Sequence, residues 1–310
     1  MITVSLFIRT LITVERAITL ILAAGLITAV QASDDYNGNG AANVSQTGSP
    51  AVSDFHKTTG ENTANKIKVI SLTPEISDIL ISIGAEDNLV AADVNSELDP
   101  ALNIPRIADY YSVNLEALSA AKFDYIMVNS DFNNLIINKL EKFKQKLKIY
   151  TFSNTEELLH NIREIGELIN RKERADEVAD HIQNITDSLI SRNRSSDRSP
   201  KKVAVVIWDR PLMIAGGTTF LSHAVELCGG HNVFADIDVK FPVVSGEKLL
   251  LTSPDIIIAL TDSYRHLPQK LQPRTHLLTT DEQNSLMKVS PKSFDIGIPA
   301  ICRAINSSIE

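Results

Sequence analysis

"KVISLTPEISDILISIGAEDNLVAAD" occupies residues 68–93 and spells out a strand, a helix and a second strand. Residues 68–72 carry Val69, Ile70 and Leu72 with no polar alternation, which predicts a strand buried on both faces. The stretch "TPEISDILISIG" then reads as a helix. Thr73 is expected to cap it, Pro74 fits its first turn, where a missing N–H costs nothing, and Gly84 ends it. "LVAAD" (89–93) is the next strand.

The same texture continues on both sides of a long helical interval. A helix around 114–121 leads to the strand "DYIMV", the stretch "NNLIINKLEKFKQK" predicts another helix, and "KIYTF" another strand. Residues 155–194 read as helical for some forty positions, with Ala175, Val178, Ala179, Ile182, Ile185 and Leu189 recurring at three- and four-residue steps. This helix either packs on one domain or forms a stiff connector. The second reading is preferred, because strand–helix alternation resumes with "KVAVVIW" (202–208), "LMIAG", the helix "TFLSHAVELCGG", a helix from Gly246, "DIIIAL", "THLLTT" and a closing helix, "PKSFDIGIPAICRAIN". Continuous apolar strands alternating with helices predict an α/β fold with parallel sheets. The expected organisation is a leader over 1–32, a flexible linker over 33–66, an N-terminal α/β lobe over 67–154, connecting helices over 155–200 and a C-terminal α/β lobe over 201–310.

Each lobe contains one copy of a short device. "NLEALSAAKFDYIMV" (114–128) and "SGEKLLLTSPDIIIA" (245–259) both place a Glu eight residues before an Asp that opens an apolar run. Glu116 and Glu247 fall in the first turn of their helices, where the helix dipole favours an acid by about 0.3–1 kcal/mol. That accounts for either Glu alone and leaves their repetition unexplained.

The 310 residues are 44% apolar and 22% charged with a net charge of −8, an ordinary globular balance that argues against nucleic acid as a partner. Residues 17–30, "AITLILAAGLITAV", are too short to span a bilayer. With Arg9 and Arg16 before them and "VQA" after, they read as a secretory signal cut after Ala32, or as an uncleaved anchor. The following 33–66, rich in Asn, Gly, Ser and Thr, reads as a tether. The two cysteines, Cys228 and Cys302, are either a disulfide, as export and an even count suggest, or two buried thiols.

Catalytic signatures are missing from the chain. There is no GxSxG, P-loop, HExxH or CxxC, and the seven histidines show no close metal spacing. "DVNSELDP" (93–100) alternates acids as a calcium loop does, but it lacks the sixth-position Gly, and Ile104 stands where the bidentate Glu belongs. No catalytic residue, metal or cofactor is expected.

Taken in order, 68–93, "NIPRIADYYSVNLEALSAAKFDYIMV" (103–128), "AVELCGGHNVFAD" (224–236), "SGEKLLLTSPDIIIAL" (245–260) and "SPK" (290–292) resemble the helical-backbone substrate-binding proteins of ABC importers. That class carries cobalamin, iron-siderophores or haem, and its cobalamin-binding members look most similar. The resemblance spans about 67–306. It implies two Rossmann-like lobes joined by one long rigid helix, with the ligand in the cleft between them and little hinge motion. It implies a disulfide between Cys228 and Cys302, and contacts from Glu116 and Glu247 to arginines of a membrane permease. It also assigns ligand-facing positions to Tyr110, Tyr111, Asn129, Met213 and Phe241. Trp208, the single Trp, stands between a core and a cleft role.

A corrinoid or porphyrin needs flat apolar faces with a few placed polar groups. An anionic siderophore would instead use cations such as Arg210, Lys240, Arg265 and His266, unless those are simply solvated. The implied function is periplasmic capture of a cobalamin-type ligand by a monomer and its delivery to permease subunits, with siderophore or haem capture as the alternative. An exported α/β enzyme or sensor domain is the more distant reading.

Overall fold

Strand β1 (Val69–Ser71), helix α1 (Pro74–Ser82) and strand β2 (Leu89–Asp93) follow the order read from residues 68–93. The structure, a computed structural model, describes residues 66–131, 134–196 and 199–307. The expected leader and all but the last residue of the expected linker lie outside them.

The first sheet adds β3 (Arg106–Ala108), β4 (Tyr125–Asn129) and β5 (Leu147–Tyr150), in the order β3-β2-β1-β4-β5. Every pairing is parallel. The cause is visible in burial: Val69, Ile70, Ile126, Met127 and Val128 are all fully buried, each such side chain stabilising the fold by roughly 1.5–3 kcal/mol. From β1 the chain moves outward through β2 and β3, then crosses to the other side for β4 and β5. The reversal between β1 and β4 makes the carboxyl ends of these strands the natural crevice of the lobe.

Helices α2 (Leu115–Ala120) and α3 (Asn134–Lys139) complete this lobe. The helix expected over 133–146 is therefore shorter than its pattern, and a tight turn at Glu141–Phe143 follows it. Gly84 does end α1, with φ of +64°, a left-handed conformation that a side chain opposes by roughly 1–2 kcal/mol. Thr73 holds the cap position without making a side-chain cap. Its hydroxyl instead accepts from the backbone N–H of Asn129 at 3.3 Å, tying α1 to β4.

The helical interval is two helices, α4 (Thr155–Leu168) and α5 (Lys172–Arg194). Asn170, at φ of +61°, breaks it. A Cβ on Gly166 would stand 2.2 Å from the Cβ of Ala175, so only glycine lets α4 and α5 pack this closely. The 23 residues of α5 give a rod about 35 Å long.

The second sheet is built from β6 (Lys201–Asp209), β7 (Leu212–Ile214), β8 (Gly230–Asn232), β9 (Ile256–Ala259) and β10 (Thr275–Leu277). Its order is β10-β9-β6-β7, with β8 also on β6. Three pairings are parallel, but β7 runs antiparallel to β6, joined to it through a cis Arg210–Pro211 bond. An all-parallel second sheet is thus corrected to a mixed one. Helices α6 (Phe220–Leu227), α7 (Gly246–Leu251), α8 (Thr280–Met287) and α9 (Ile298–Asn306) cover it. Cys228, at the end of α6, is bonded to Cys302 in α9, 74 residues away.

The repeated device has a structural half. The backbone N–H of Asp124 donates to the Lys68 carbonyl, and its carboxylate accepts from the Lys68 N–H at 2.8 Å. Asp255 makes the same reciprocal pair with Lys202. Each Asp therefore registers the strand it opens against the central strand of its lobe. Asn114 and Ser245 cap the two helices by accepting from the N–H groups of Ala117 and Lys248. Glu116 and Glu247 are both exposed, and neither has a hydrogen bond or ion pair among the described residues.

Candidate ligand-binding cleft

At the carboxyl end of β1, α1 begins with Glu75 in its first turn. Thr73 and Asn129 lie close to its carboxyl group, and Oε2 is sealed from solvent with no hydrogen-bond partner. Burial is the main cause that pushes this carboxyl up to about 7, with the polar groups around it, Thr73 and Asn129 among them, opposing the shift and the charge of Asp93 adding to it. Asp93 ends β2 and is pushed up to about 6, again chiefly by burial, with the charge of Asp109 adding to it.

Asp109 organises the next loop. Its Oδ1 accepts from the backbone N–H groups of Tyr111 at 2.8 Å and Ser112 at 2.7 Å. That turn presents Tyr110 and Tyr111 edge to face, with ring centroids 5.3 Å apart, both half-buried. Asn129, the last residue of β4, is 8% exposed, and its Oδ1 accepts from the Asp131 N–H at 3.0 Å.

Asp131 carries the site across to the second lobe. Lys240 Nζ donates to both of its carboxylate oxygens at 2.6 Å. Lys240 lies on an extended strap beside β7: Gly216 N–H donates to Lys240 O, Ile214 N–H to Pro242 O, and Val244 N–H to Leu212 O. The strap sits on two glycines. A Cβ on Gly216 would lie 1.9 Å from Val239 O, and one on Gly217 1.9 Å from Ala235 O. Phe241 follows Lys240 and is 36% exposed, while Val239 and Val243 expose themselves on either side.

Met213 bridges to Val243 and pairs with Trp208, but at 1% exposure it has almost no surface to offer. Trp208 is half-buried and donates from Nε1 to Arg210 O at 2.9 Å. Hydrogen bonds thus join Tyr111 to Asp109 and run from Asn129 through Asp131 to Lys240, with Asp93 and Glu75 between them as neighbouring charges and Phe241, Met213 and Trp208 next along the strap and β7. Glu75, Asp93, Asp131 and Lys240 as a paired set escaped the sequence reading. An acid in a first turn carries no mark of its burial.

Two further sets of bonds reach the second lobe away from this line, one from the connecting helices and one from the first lobe. Thr155 Oγ1 and His223 Nε2 lie 2.8 Å apart, and burial pulls His223 below the ordinary histidine range. Lys292 reaches Asp78 at 3.2 Å, Lys288 reaches Glu97 at 2.6 Å, and Ser290 donates to Asp78 at 3.3 Å. Of the four cations considered for an anionic ligand, Lys240 is engaged by Asp131, and His266 Nδ1 lies 2.5 Å from Asp209. Among the described residues no group of three or more His, Cys, Asp or Glu is placed to hold a metal ion.

A family model described as periplasmic binding protein matches residues 69–282. The vitamin B12-binding protein of Photorhabdus laumondii is 27% identical over 197 residues, 63% of this chain and 71% of that protein. The solved periplasmic vitamin B12 binding protein BtuF of Vibrio cholerae superposes with a TM-score of 0.66 at 24% identity, covering 77% of this chain and 96% of that one. The periplasmic heme binding protein HutB of Vibrio cholerae gives 0.64 at 18% identity, over 78% and 99% of the two chains.

Proposed function

This chain belongs to the periplasmic binding protein family, as a substrate-binding protein of the ABC-importer type and not an enzyme, and we propose that it captures a cobalamin-type corrinoid between its two lobes and delivers it to a membrane permease. The lobes of this proposal are 67–154 and 201–310, with 155–200 connecting them, and the protein works in the periplasm after export. The ligand is cargo and leaves unchanged. The observation that carries the reading is the run of groups from the Tyr110–Tyr111 pair to the exposed Phe241. It offers large flat faces around a small polar centre, the composition that a planar macrocycle with a polar rim requires.

Tyr110, Tyr111 and Phe241 contact the ring in this reading, Asn129 offers a polar group, and Met213 packs beneath the strap. Trp208 shields the far end. Glu116 and Glu247, solvated and uncommitted, dock on basic residues of the permease, one from each lobe. The B12-binding relatives support the corrinoid over other cargo of the class. The visible absorption of protein purified from its native periplasm tests it, because corrinoid, haem and ferric siderophore have different spectra. A corrinoid spectrum is expected, and a Soret band or a siderophore charge-transfer band would reject it.

A further inference from the structure

We propose that Glu75 sets ligand selectivity at the lobe-one wall: it pairs with a neutral primary amide on the rim of the ligand and turns away a carboxylate at the same place. The inference rests on the corrinoid reading above and makes it narrower.

Three observations lead here. The first is place: Glu75 stands at the carboxyl end of β1, beside Asn129 of β4, where the strand order reverses. In open parallel sheets that point is the ligand crevice. The second is an unfilled need. One oxygen of the carboxyl is buried and bonded to nothing, a state that costs about 1–3 kcal/mol or more for a charged group. Rotation about the terminal torsion of a glutamate is soft, so an incoming N–H can be met with little rearrangement.

The third is the sign of the surroundings. A helix N-terminus ordinarily receives anions, but the first turn of α1 is already occupied by Glu75 itself. Asp93 and Asp109 add negative charge beside it. Of the nearby cations, Arg106 spends Nη1 on the carbonyls of Asp93 and Ser96, and Lys240 is held by Asp131. Among the described residues, Arg106 and Lys240 are thus already engaged and leave an incoming carboxylate little compensation here. A primary amide suits it in either protonation state: ionised, Glu75 accepts the amide N–H, and protonated, it donates to the amide carbonyl. The amide-rimmed corrinoid meets that requirement, whereas haem presents carboxylates.

The test compares cyanocobalamin with its monocarboxylic acids, in which one peripheral amide is hydrolysed, on the mature chain at pH 7.5. For the wild-type protein we expect at least one acid to bind about tenfold more weakly than the amide, the effect of one unpaired buried polar group. Glu75→Gln keeps the shape and an acceptor but removes the charge. Whatever it does to the affinity for cyanocobalamin itself, it should compress the amide preference to about threefold or less. Equal discrimination by wild type and Glu75→Gln, or none by wild type, overturns the inference while corrinoid binding itself stands. No corrinoid binding by the wild type overturns the functional reading and this inference with it. A measurement on the wild type alone covers a variant that fails to fold: the preference for cyanocobalamin over the same monocarboxylic acid, compared at pH 6 and pH 8. A preference that grows with pH, as Glu75 gains charge opposite the ligand carboxylate, supports the pairing, and one that is constant or falls overturns it.

Discussion

Replacing Glu75 by Gln should make the ligand-free protein more stable, and more so as pH rises. The carboxyl ordinarily titrates at 4.5 and is held at about 7 in the fold, chiefly by burial. A folded-state value above the unfolded one means that the native state binds the proton more tightly. Stability from this group is therefore complete below about 4.5 and is lost as pH climbs through about 7. At about 1.4 kcal/mol for each pH unit between the two values, the loss reaches about 3 kcal/mol by pH 8. Glu75 is half-buried as a whole residue, so water reaching its stem makes that figure a ceiling, and roughly 1–3 kcal/mol is the working range. Gln cannot ionise and escapes the loss. Urea denaturation of both proteins at pH 5 and pH 8, without ligand, reads the difference directly. The stability gap should widen in favour of Glu75→Gln by at least about 1 kcal/mol between the two pH values. A gap that stays constant, or one that widens in favour of the wild type, refutes the placement of this carboxyl. Asp93→Asn should show the same sign at a smaller size, since Asp93 is pushed up only to about 6.

Other outcomes follow from the fold and from the proposed docking. Gly216→Ala drives a methyl group into Val239 O and should cost about 1–3 kcal/mol in urea denaturation, with weaker ligand binding because the strap carrying Lys240 and Phe241 must lift; unchanged stability would contradict the close approach. Cys228→Ser with Cys302→Ser opens a cross-link between residues 74 apart and should lower stability by about 4 kcal/mol in the chain-entropy model. Thiol labelling of the denatured, unreduced wild type should find no free cysteine. Glu116→Arg with Glu247→Arg should leave corrinoid binding intact and abolish uptake through the cognate permease, since like charges across an interface oppose association; normal uptake would end the docking role.

The parts of this architecture that were legible in the sequence are those with continuous apolar runs. β1, β4, β6 and β9 announce themselves because each is buried on both faces. β3 and α8 were passed over for opposite reasons. The three residues of β3 are too short to carry a pattern. The eight residues of α8 are mostly polar, and their signal is the capping box of Thr279 and Glu282 rather than any apolar period.

Of the groups proposed for the cleft, the resemblance named the aromatic ones and left the acidic centre unnamed. Tyr110, Tyr111 and Phe241 stand out by residue type, and two of the three lie beside a charged residue that fixes their loop or strap. Glu75 looks like any first-turn acid. What sets it apart is the crowding of Thr73, Asn129 and Asp93 around one carboxyl, and those neighbours come from three separate strand ends. Met213 was assigned a ligand-facing position by the resemblance alone, and its side chain is buried.

The central claim is that the cleft holds a corrinoid between the aromatic groups of its two lobes. Calorimetric titration of cyanocobalamin into the mature protein, set beside Tyr110→Ala with Phe241→Ala, tests it most directly. The account predicts one site per chain in the wild type and a loss of affinity of about two kcal/mol or more in the folded double variant, as for truncated buried aromatic anchors. Equal affinity in the two proteins, or wild-type protein that ignores cyanocobalamin while binding haem or a ferric siderophore, would contradict it.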